Sequence, residues 1–149
     1  MADPKVVEGV LVGLLVGDGA TPTEAFTAFC GINAKTIAFT STSNETYLYD
    51  CTTPTNVPWR RPTKSGKACS ITGTGNLDSS VLDRYLTAYN SKDPVNCQYS
   101  IGVAALDGGG HWSGAFMFTS LEIVGTNGEL TTVSISLESS GAITWTDAV

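Results

Sequence analysis

The sequence is short of charge, of histidine and of long apolar runs, and each shortage excludes a class of function. Charged residues make up 15% of the 149 positions, and the single histidine is His111. Nucleophilic catalysis by Ser or Cys usually needs a histidine base oriented by an acid, and no pattern around His111 supplies one. No apolar stretch approaches the roughly 20 residues that cross a bilayer. We therefore expect neither an enzyme nor a protein that spans or binds a membrane.

Residue patterns that bind metals or nucleotides are also missing. The four cysteines, Cys30, Cys51, Cys69 and Cys97, form no CxxC pair and have no histidine at ligand spacing. The stretch Gly73-Thr74-Gly75 matches part of a dinucleotide-binding fingerprint but lacks its third glycine. Because no convincing signal peptide opens the chain, we expect reduced thiols, at least two of them packed in the core. We expect no cofactor, no metal and no catalytic residue.

Positive charge is scarce and is concentrated in one stretch. A formal net charge of −6 argues against tight binding to nucleic acid. Half of the eight basic residues lie close together after Trp59: Arg60, Arg61, Lys64 and Lys67. Three prolines fall in the same region, and because proline cannot donate to a sheet ladder we expect a long loop at about residues 52–66. Trp beside two Arg is typical of interfaces, so we interpret this loop as a contact surface; a solvated basic loop is the alternative.

Most of the remaining sequence alternates apolar and polar residues over short segments, which predicts strands. The predicted strands are residues 10–16, 25–32, 35–41, 69–74, 97–104, 111–119, 121–124, 131–137 and 142–145, with an extended segment at 44–51. Asn127-Gly128 predicts a hairpin turn. One segment has helical spacing, and Asp78 or Ser79 can cap a helix at about residues 78–90 that presents an apolar stripe. The stripe consists of Val81, Leu82, Tyr85, Leu86 and Tyr89. We predict one mainly β domain, residues 1–149, with one flanking helix.

The order of these segments is more specific than any one of them. It includes Val16-Gly17-Asp18-Gly19 after the apolar opening strand, then Ala28-Phe29-Cys30-Gly31-Ile32, Cys69-Ser70-Ile71-Thr72-Gly73-Thr74-Gly75, the helix, Trp112-Ser113-Gly114-Ala115-Phe116, and an alternating strand that ends in Ser139-Ser140-Gly141. Over nearly the whole chain, this order resembles the major tail protein, or tail tube protein, family of tailed bacteriophages. In that family the fold is a β-sandwich or distorted barrel with a flanking helix. Its subunits form rings, commonly of six, which stack into a hollow tube that conducts DNA to the host.

The resemblance implies a structural protein of the virion tail, assembled in the host cytoplasm, whose main partner is itself. Tape measure, tail terminator and distal tail proteins are the further partners implied. One sheet would line the lumen, where DNA passes without specific binding, and the candidate lumen-facing acids are Glu122, Glu129 and Glu138. The basic loop would then contact an acidic surface of the next ring through Trp59, Arg60, Arg61, Lys64 and Lys67.

Three other interpretations stay open at the level of sequence. A ring protein of a contractile secretion or injection machine resembles tail tubes in fold and stacking. An immunoglobulin-like adhesion module is also rich in strands, although the chain lacks the Cys…Trp…Cys framework of that fold. An enzyme is the third, and His111 would be its test.

Overall fold

The computed structural model describes residues 3–17, 19, 24–29 and 31–149. Most of this part of the chain is strand, with one α-helix. The strands are β1 (Val12–Gly17), β2 (Phe26–Ala28), β3 (Ile32–Leu48), β4 (Trp59–Asn76), β5 (Val95–Ile101), β6 (Gly110–Val124), β7 (Thr132–Ser139) and β8 (Thr144–Asp147), and the helix is α1 (Leu82–Asn90). Short 3-10 turns lie at Gly9–Leu11, Ser79–Val81 and Ala105–Asp107. The predicted mainly β fold with one helix is confirmed.

The strands form one open antiparallel sheet that folds over on itself. Its order is β2-β1-β5-β6-β7-β4-β3, and β8 pairs with the first residues of β6. Although β3 is not a neighbour of β5 or β6 in this order, the hydroxyl of Tyr99 on β5 donates to the carbonyl of Lys35 on β3 at 3.0 Å. The rings of Phe39 on β3 and Trp112 on β6 also lie 5.5 Å apart. The two ends of the sheet therefore face each other and enclose the core, as in the expected sandwich or distorted barrel.

Alternation along the strands places the apolar side chains in this enclosed core. On β7, Val133, Ile135 and Leu137 are buried, whereas the residues between them are not. The same period buries residues of β1, β4, β5 and β6: Leu14, Val16, Cys69, Ile71, Cys97, Tyr99, Phe116 and Phe118. The prediction that at least two cysteines lie in the core is confirmed by Cys69 and Cys97.

A 3-10 turn begins at Ser79, where the sequence predicted the helix to start, and α1 follows from Leu82 and closes one side of the core. The carboxylate of Asp78 accepts a hydrogen bond from the N–H of Ser80 at 3.0 Å and caps the 3-10 turn that leads into α1. Tyr85 is fully buried, with its ring 4.3 Å from that of Phe29. Leu86 and Tyr89, which the sequence placed on the apolar stripe, are about half exposed. A nine-residue helix covers the core with only a narrow face, and these two residues lie at its margin.

Several predicted strand boundaries are wrong. The strand predicted at residues 25–32 ends at Ala28, and the chain turns at Gly31, whose φ of 89° is left-handed, before β3 begins. Cys30 lies outside the described residues. The segments predicted at 111–119 and 121–124 form the single strand β6, because the irregularity between Phe118 and Ser120 is a register shift rather than a turn.

Candidate functional site

A long two-stranded hairpin, here called the arm, projects from the sheet. It consists of residues 40–48 of β3 and 59–68 of β4, joined by residues 49–58. The strand β4 pairs with β7 only from Ser70 onward, so the arm strands pair with each other alone. Every arm residue is exposed except Pro58, which is half-buried. At roughly 3.3 Å per residue the nine positions of β3 in the arm span about 30 Å. The arm buries nothing within its own subunit and leaves both strand edges unpaired.

The arm corrects the loop predicted at residues 52–66. Residues from Trp59 onward belong to β4, and Pro62 lies opposite Glu45 in the ladder. A missing N–H is tolerated there because this part of β4 has no partner on its other side. The prediction failed because proline bars a central strand but not an edge. The five residues predicted as a contact loop are therefore held on a strand.

The turn at the end of the arm is ordered by its own side chains. The carboxylate of Asp50 accepts hydrogen bonds from the N–H of Thr52 at 2.8 Å and the hydroxyl of Thr53 at 3.1 Å. The side-chain amide of Asn56 donates to the hydroxyl of Thr53 at 2.9 Å. The hydrogen bond from Thr52, chiefly, holds the pKa of the Asp50 carboxyl below its usual range. These contacts make a defined turn rather than a floppy connection.

Large apolar side chains surround this turn without being buried. Five of them are at least half exposed: Tyr47, Leu48, Tyr49, Val57 and Trp59. A monomeric soluble protein rarely gathers aromatic and aliphatic side chains on an exposed projection, and such a cluster is typical of a protein interface.

The register divides the basic residues between the two faces of the arm. Residues opposite each other in a ladder share a face, and once the β-bulge in the arm is counted, Arg60, Lys64 and Lys67 lie on the face that continues into the core side of the sheet. Trp59 and Arg61 lie on the other face. Arg60 forms an ion pair with Glu45 of the same arm at 2.7 Å. Within the described chain the one other ion pair does not involve the arm, so the remaining three arm cations carry uncompensated charge.

Two of the three predicted lumen acids share the face of the sheet that points away from the core. Glu138 on β7 alternates with the buried Leu137, and Glu122 on β6 lies opposite Ser134 of that same outer face. Glu129 lies in the turn between β6 and β7, so the structure does not bring it together with the other two.

The outer face around Glu122 and Glu138 is built mainly from small, uncharged side chains, with the larger Met117 of β6 opposite Glu138. They come from β3, β4, β6 and β7: Ala34, Thr36, Ala38, Ser70, Thr72, Thr74, Ser120, Ser134 and Ser136. No basic residue lies on this face in the described parts of the four strands outside the arm. The result is a weakly acidic surface on which most side chains are small.

A groove opens where the arm joins the body of the sheet. Its volume is about 550 Å³, and its lining includes Phe39, Lys67, Cys69, Ala142 and Ile143. The Phe39 side chain is about half exposed. The groove is thus mainly apolar, with a lysine at its side.

Neither metal binding nor reactivity of the buried Cys97 thiol is supported by the described residues. No cluster of His, Cys, Asp and Glu among them could hold a metal ion. Burial, chiefly, raises the pKa of the Cys97 thiol to about 12, which keeps it protonated and unreactive. Nor does this part of the chain include a helix with the length and hydropathy to cross a membrane.

A comparison with protein families identifies the chain. Residues 7–145 match the family model described as phage tail tube protein. The chain belongs to the phage tail tube protein family. This confirms the resemblance drawn from the order of the strands, and because the family is one of structural tail proteins, it also confirms that the chain is not an enzyme. The family places the tail tube protein in a virion tail and rules out the immunoglobulin-like adhesion module.

Solved structures share the fold of the tail tube protein. A chain in the virion of a native gene transfer agent particle matches at 19% identity and a TM-score of 0.76, covering 95% of this chain and 99% of that one. A chain in the tail of an empty gene transfer agent particle with C6 symmetry matches at 20% identity and a TM-score of 0.71, covering 89% and 95%. The SPP1 tail tube matches at 17% identity and a TM-score of 0.69, covering 97% and 81%. No curated protein matches the sequence.

The fold also occurs in the alternative class of machine considered from the sequence. A sheath–tube complex of an extracellular contractile injection system matches at 12% identity and a TM-score of 0.62, covering 96% of this chain and 93% of that one. The fold is common to both kinds of tube, and the family model is what favours a phage tail.

Two features of the tail tube protein escaped sequence reasoning. The strand at 59–66 was hidden by Pro62 within it and by Pro58 just before it. The predicted extended segment at 44–51 nevertheless needed a partner of similar length, and this stretch follows it. The groove gave no local signal, because residues 39, 67–69 and 139–143 come together only when the sheet folds.

Proposed function

We propose that this tail tube protein assembles into rings of six subunits, that the rings stack into a hollow tube, and that DNA passes through the tube to the host. The observation that carries the proposal is the arm. It places exposed apolar residues and uncompensated cations on a ribbon about 30 Å long that buries nothing in its own subunit. Such a ribbon has a physical purpose only if another subunit covers it.

Ring formation of this kind is supported by the unpaired edges of the sheet. The outer edge of β3 and the part of β4 in the arm present rows of N–H and C=O groups without a partner strand. Pairing around a closed ring would remove such edges, as it does in barrels. The number six is supported by the related tail of C6 symmetry.

The outer face with Glu122 and Glu138 is the surface best suited to line the lumen. Its side chains are mostly small and its charges are acidic, so it offers no cation to hold a phosphate. Six copies at −6 each give a formal ring charge of 6 × (−6), or about −36, before contacts neutralise any of it. Electrostatic repulsion would keep the duplex from adhering to such a wall.

Other tail proteins are proposed partners because the two ends of a stack leave contact surfaces uncovered. A stack of identical subunits ends in uncovered arms on one side and uncovered receiving surfaces on the other. A distal tail protein and a tail terminator would cover these ends, and a tape measure protein would occupy the lumen during assembly.

The test is to reverse the charge of the arm. In the double variant Arg60→Glu and Arg61→Glu we expect folded subunits but at least a tenfold loss of tubes, counted in negative-stain micrographs and as fast-sedimenting material. The matched control reverses two exposed lysines outside the arm, Lys5→Glu and Lys92→Glu, and should leave tube formation near that of the natural protein. Tubes of normal length and number from the arm variant would refute the assignment.

A further inference from the structure

We propose that the turn between β6 and β7, residues 125–131, docks in the groove at the base of the arm of a subunit in the next ring. The partner is a second copy of this chain. The inference rests on the proposed function, which requires rings to stack. It adds a second contact between rings, in which the turn of one subunit docks at the base of the arm of another.

The docking turn and the groove lie at opposite ends of the sheet. Along β4, Ser70 beside the arm pairs with Glu138, and Asn76 at the far end pairs with Thr132, the first residue after the turn. The groove is built around residues 67–69 and 139–143, at the arm's end. When subunits are stacked in one direction along their strands, the turn of each one therefore meets the groove of the next.

The turn presents an apolar surface that its own subunit leaves uncovered. Leu130 is 76% exposed, and Ile123 and Val124 at the end of β6 are 43% and 45% exposed. The turn is nevertheless well formed, because Gly128 takes a left-handed φ of 87° and the N–H of Glu129 donates to the carbonyl of Thr126 at 3.0 Å. Transfer of this apolar projection from water into a groove lined by Phe39, Ala142 and Ile143 is favourable in free energy.

The charges beside these two surfaces are opposite. Glu129 in the turn has no cation as a partner among the described residues, and Lys67 in the groove has no carboxylate. Lys64 lies on the same face of the arm as Lys67 and adds to the positive field. Charge complementarity at the rim of an apolar contact fixes which surfaces meet, even where it adds little affinity. Glu129 is thereby assigned to the contact between rings and not to the lumen.

The lengths of the elements are compatible with this stacking. The eight residues of β7 span about 26 Å, and the arm of about 30 Å is slightly longer. An arm whose base receives the turn of the next subunit would run beside that subunit for the length of its β7. Docking in the groove therefore leaves the arm free to make the contacts of Arg60 and Arg61 proposed above.

The first test is an exchange of charges. In rings of the full-length protein, Glu129→Lys alone and Lys67→Glu alone should each reduce tube formation at least tenfold, because a ring of six repeats the mismatch six times. The chain that carries both substitutions restores an opposite pair at each contact and should regain most tubes. The control Glu8→Lys makes the same charge change on an exposed residue outside the turn and should have little effect.

The second test is a disulfide between subunits, in the background Cys51→Ser to remove the thiol that is exposed among the described cysteines. With Leu130→Cys and Ala142→Cys in one chain, mild oxidation of tubes should give a ladder of covalent multimers on a non-reducing gel. Each single variant should give none.

The outcomes distinguish this inference from the proposed function. If Arg60→Glu with Arg61→Glu abolishes tubes while Glu129→Lys leaves them intact and the paired cysteines give no ladder, the docking site is wrong and the stacking arm stands. If the natural protein forms neither rings nor tubes at high concentration, both fall. Failure of the double charge exchange to restore tubes, with the ladder also absent, overturns the docking site.

Discussion

Removing the arm should separate folding from assembly. The change replaces residues 41–67 by a two-residue Asn-Gly turn between Thr40 and Ala68, which are already opposite each other in the ladder. Every residue removed is exposed except Pro58, which is half-buried. The core clusters around residues such as Leu137 and Ile71, which remain in place with all their neighbours. We expect a folded protein that does not form tubes.

The size of the effect on stability follows from burial and from chain entropy. Exposed substitutions usually alter the free energy of unfolding by no more than about 0.5 kcal/mol. Shortening a connection of some 27 residues to two would favour folding by (3/2)RT ln(27/2), about 2 kcal/mol, if the arm behaved as a flexible loop. An isolated two-stranded ribbon is marginally stable, so its own hydrogen bonds offset part of this. The truncated chain should thus be as stable as the natural one or up to about 2 kcal/mol more stable.

Urea unfolding followed by far-UV circular dichroism measures this difference, and sedimentation velocity on the same samples measures assembly. The positive control for a damaged core is Leu137→Ala, which removes a fully buried side chain and should cost about 2–5 kcal/mol. If the truncated chain lost more than about 2 kcal/mol, the arm would be part of the folding unit and not a separate assembly element. If it formed normal tubes, the arm could not be the stacking element.

Two further predictions test the fold. A Cβ at Gly75 would collide with the backbone carbonyl of Gly31, so Gly75→Ala should destabilise the protein by about 1–3 kcal/mol in urea unfolding. The control Gly9→Ala places its Cβ in open space and should not destabilise the protein. Equal stability of the two variants would contradict the close approach of β3 and β4. Cys51→Ser should remove one equivalent of fast-reacting thiol at pH 8, because Cys51 is exposed. Burial raises the pKa of the Cys97 thiol to about 12, so Cys97 should react only on unfolding. Rapid labelling of Cys97 in the folded protein would contradict its place in the core.

The parts of the fold that sequence reasoning predicted are those controlled by local pattern. Alternation over residues 131–137 predicted β7, and Asp78 predicted the start of the helix, because side-chain period and capping act within a few residues. The errors come from context beyond that range. Whether Pro62 interrupts a strand depends on whether β7 reaches that part of β4, which no local signal tells.

The same limit applies to the candidate site. Composition showed that Arg60, Arg61, Lys64 and Lys67 cluster, but the strand register decides that Arg61 faces away from the other three. The register of four strands decides which residues share the outer face, so its lack of cations could not be predicted from any one segment. Sequence thus singled out the candidate contact residues, and the structure gives the face of the arm on which each one lies.

The proposed head-to-tail stacking would have a consequence for how the tube ends. A contact between a turn at one end of the subunit and a groove at the other is heterologous, so each added ring offers the same free surface as the last. Nothing in such a contact limits its own repetition. With the proposed stacking, a tube of defined length would need a different molecule to measure it and another to cover its end. That polarity is the physical argument for proposing tape measure and terminator partners.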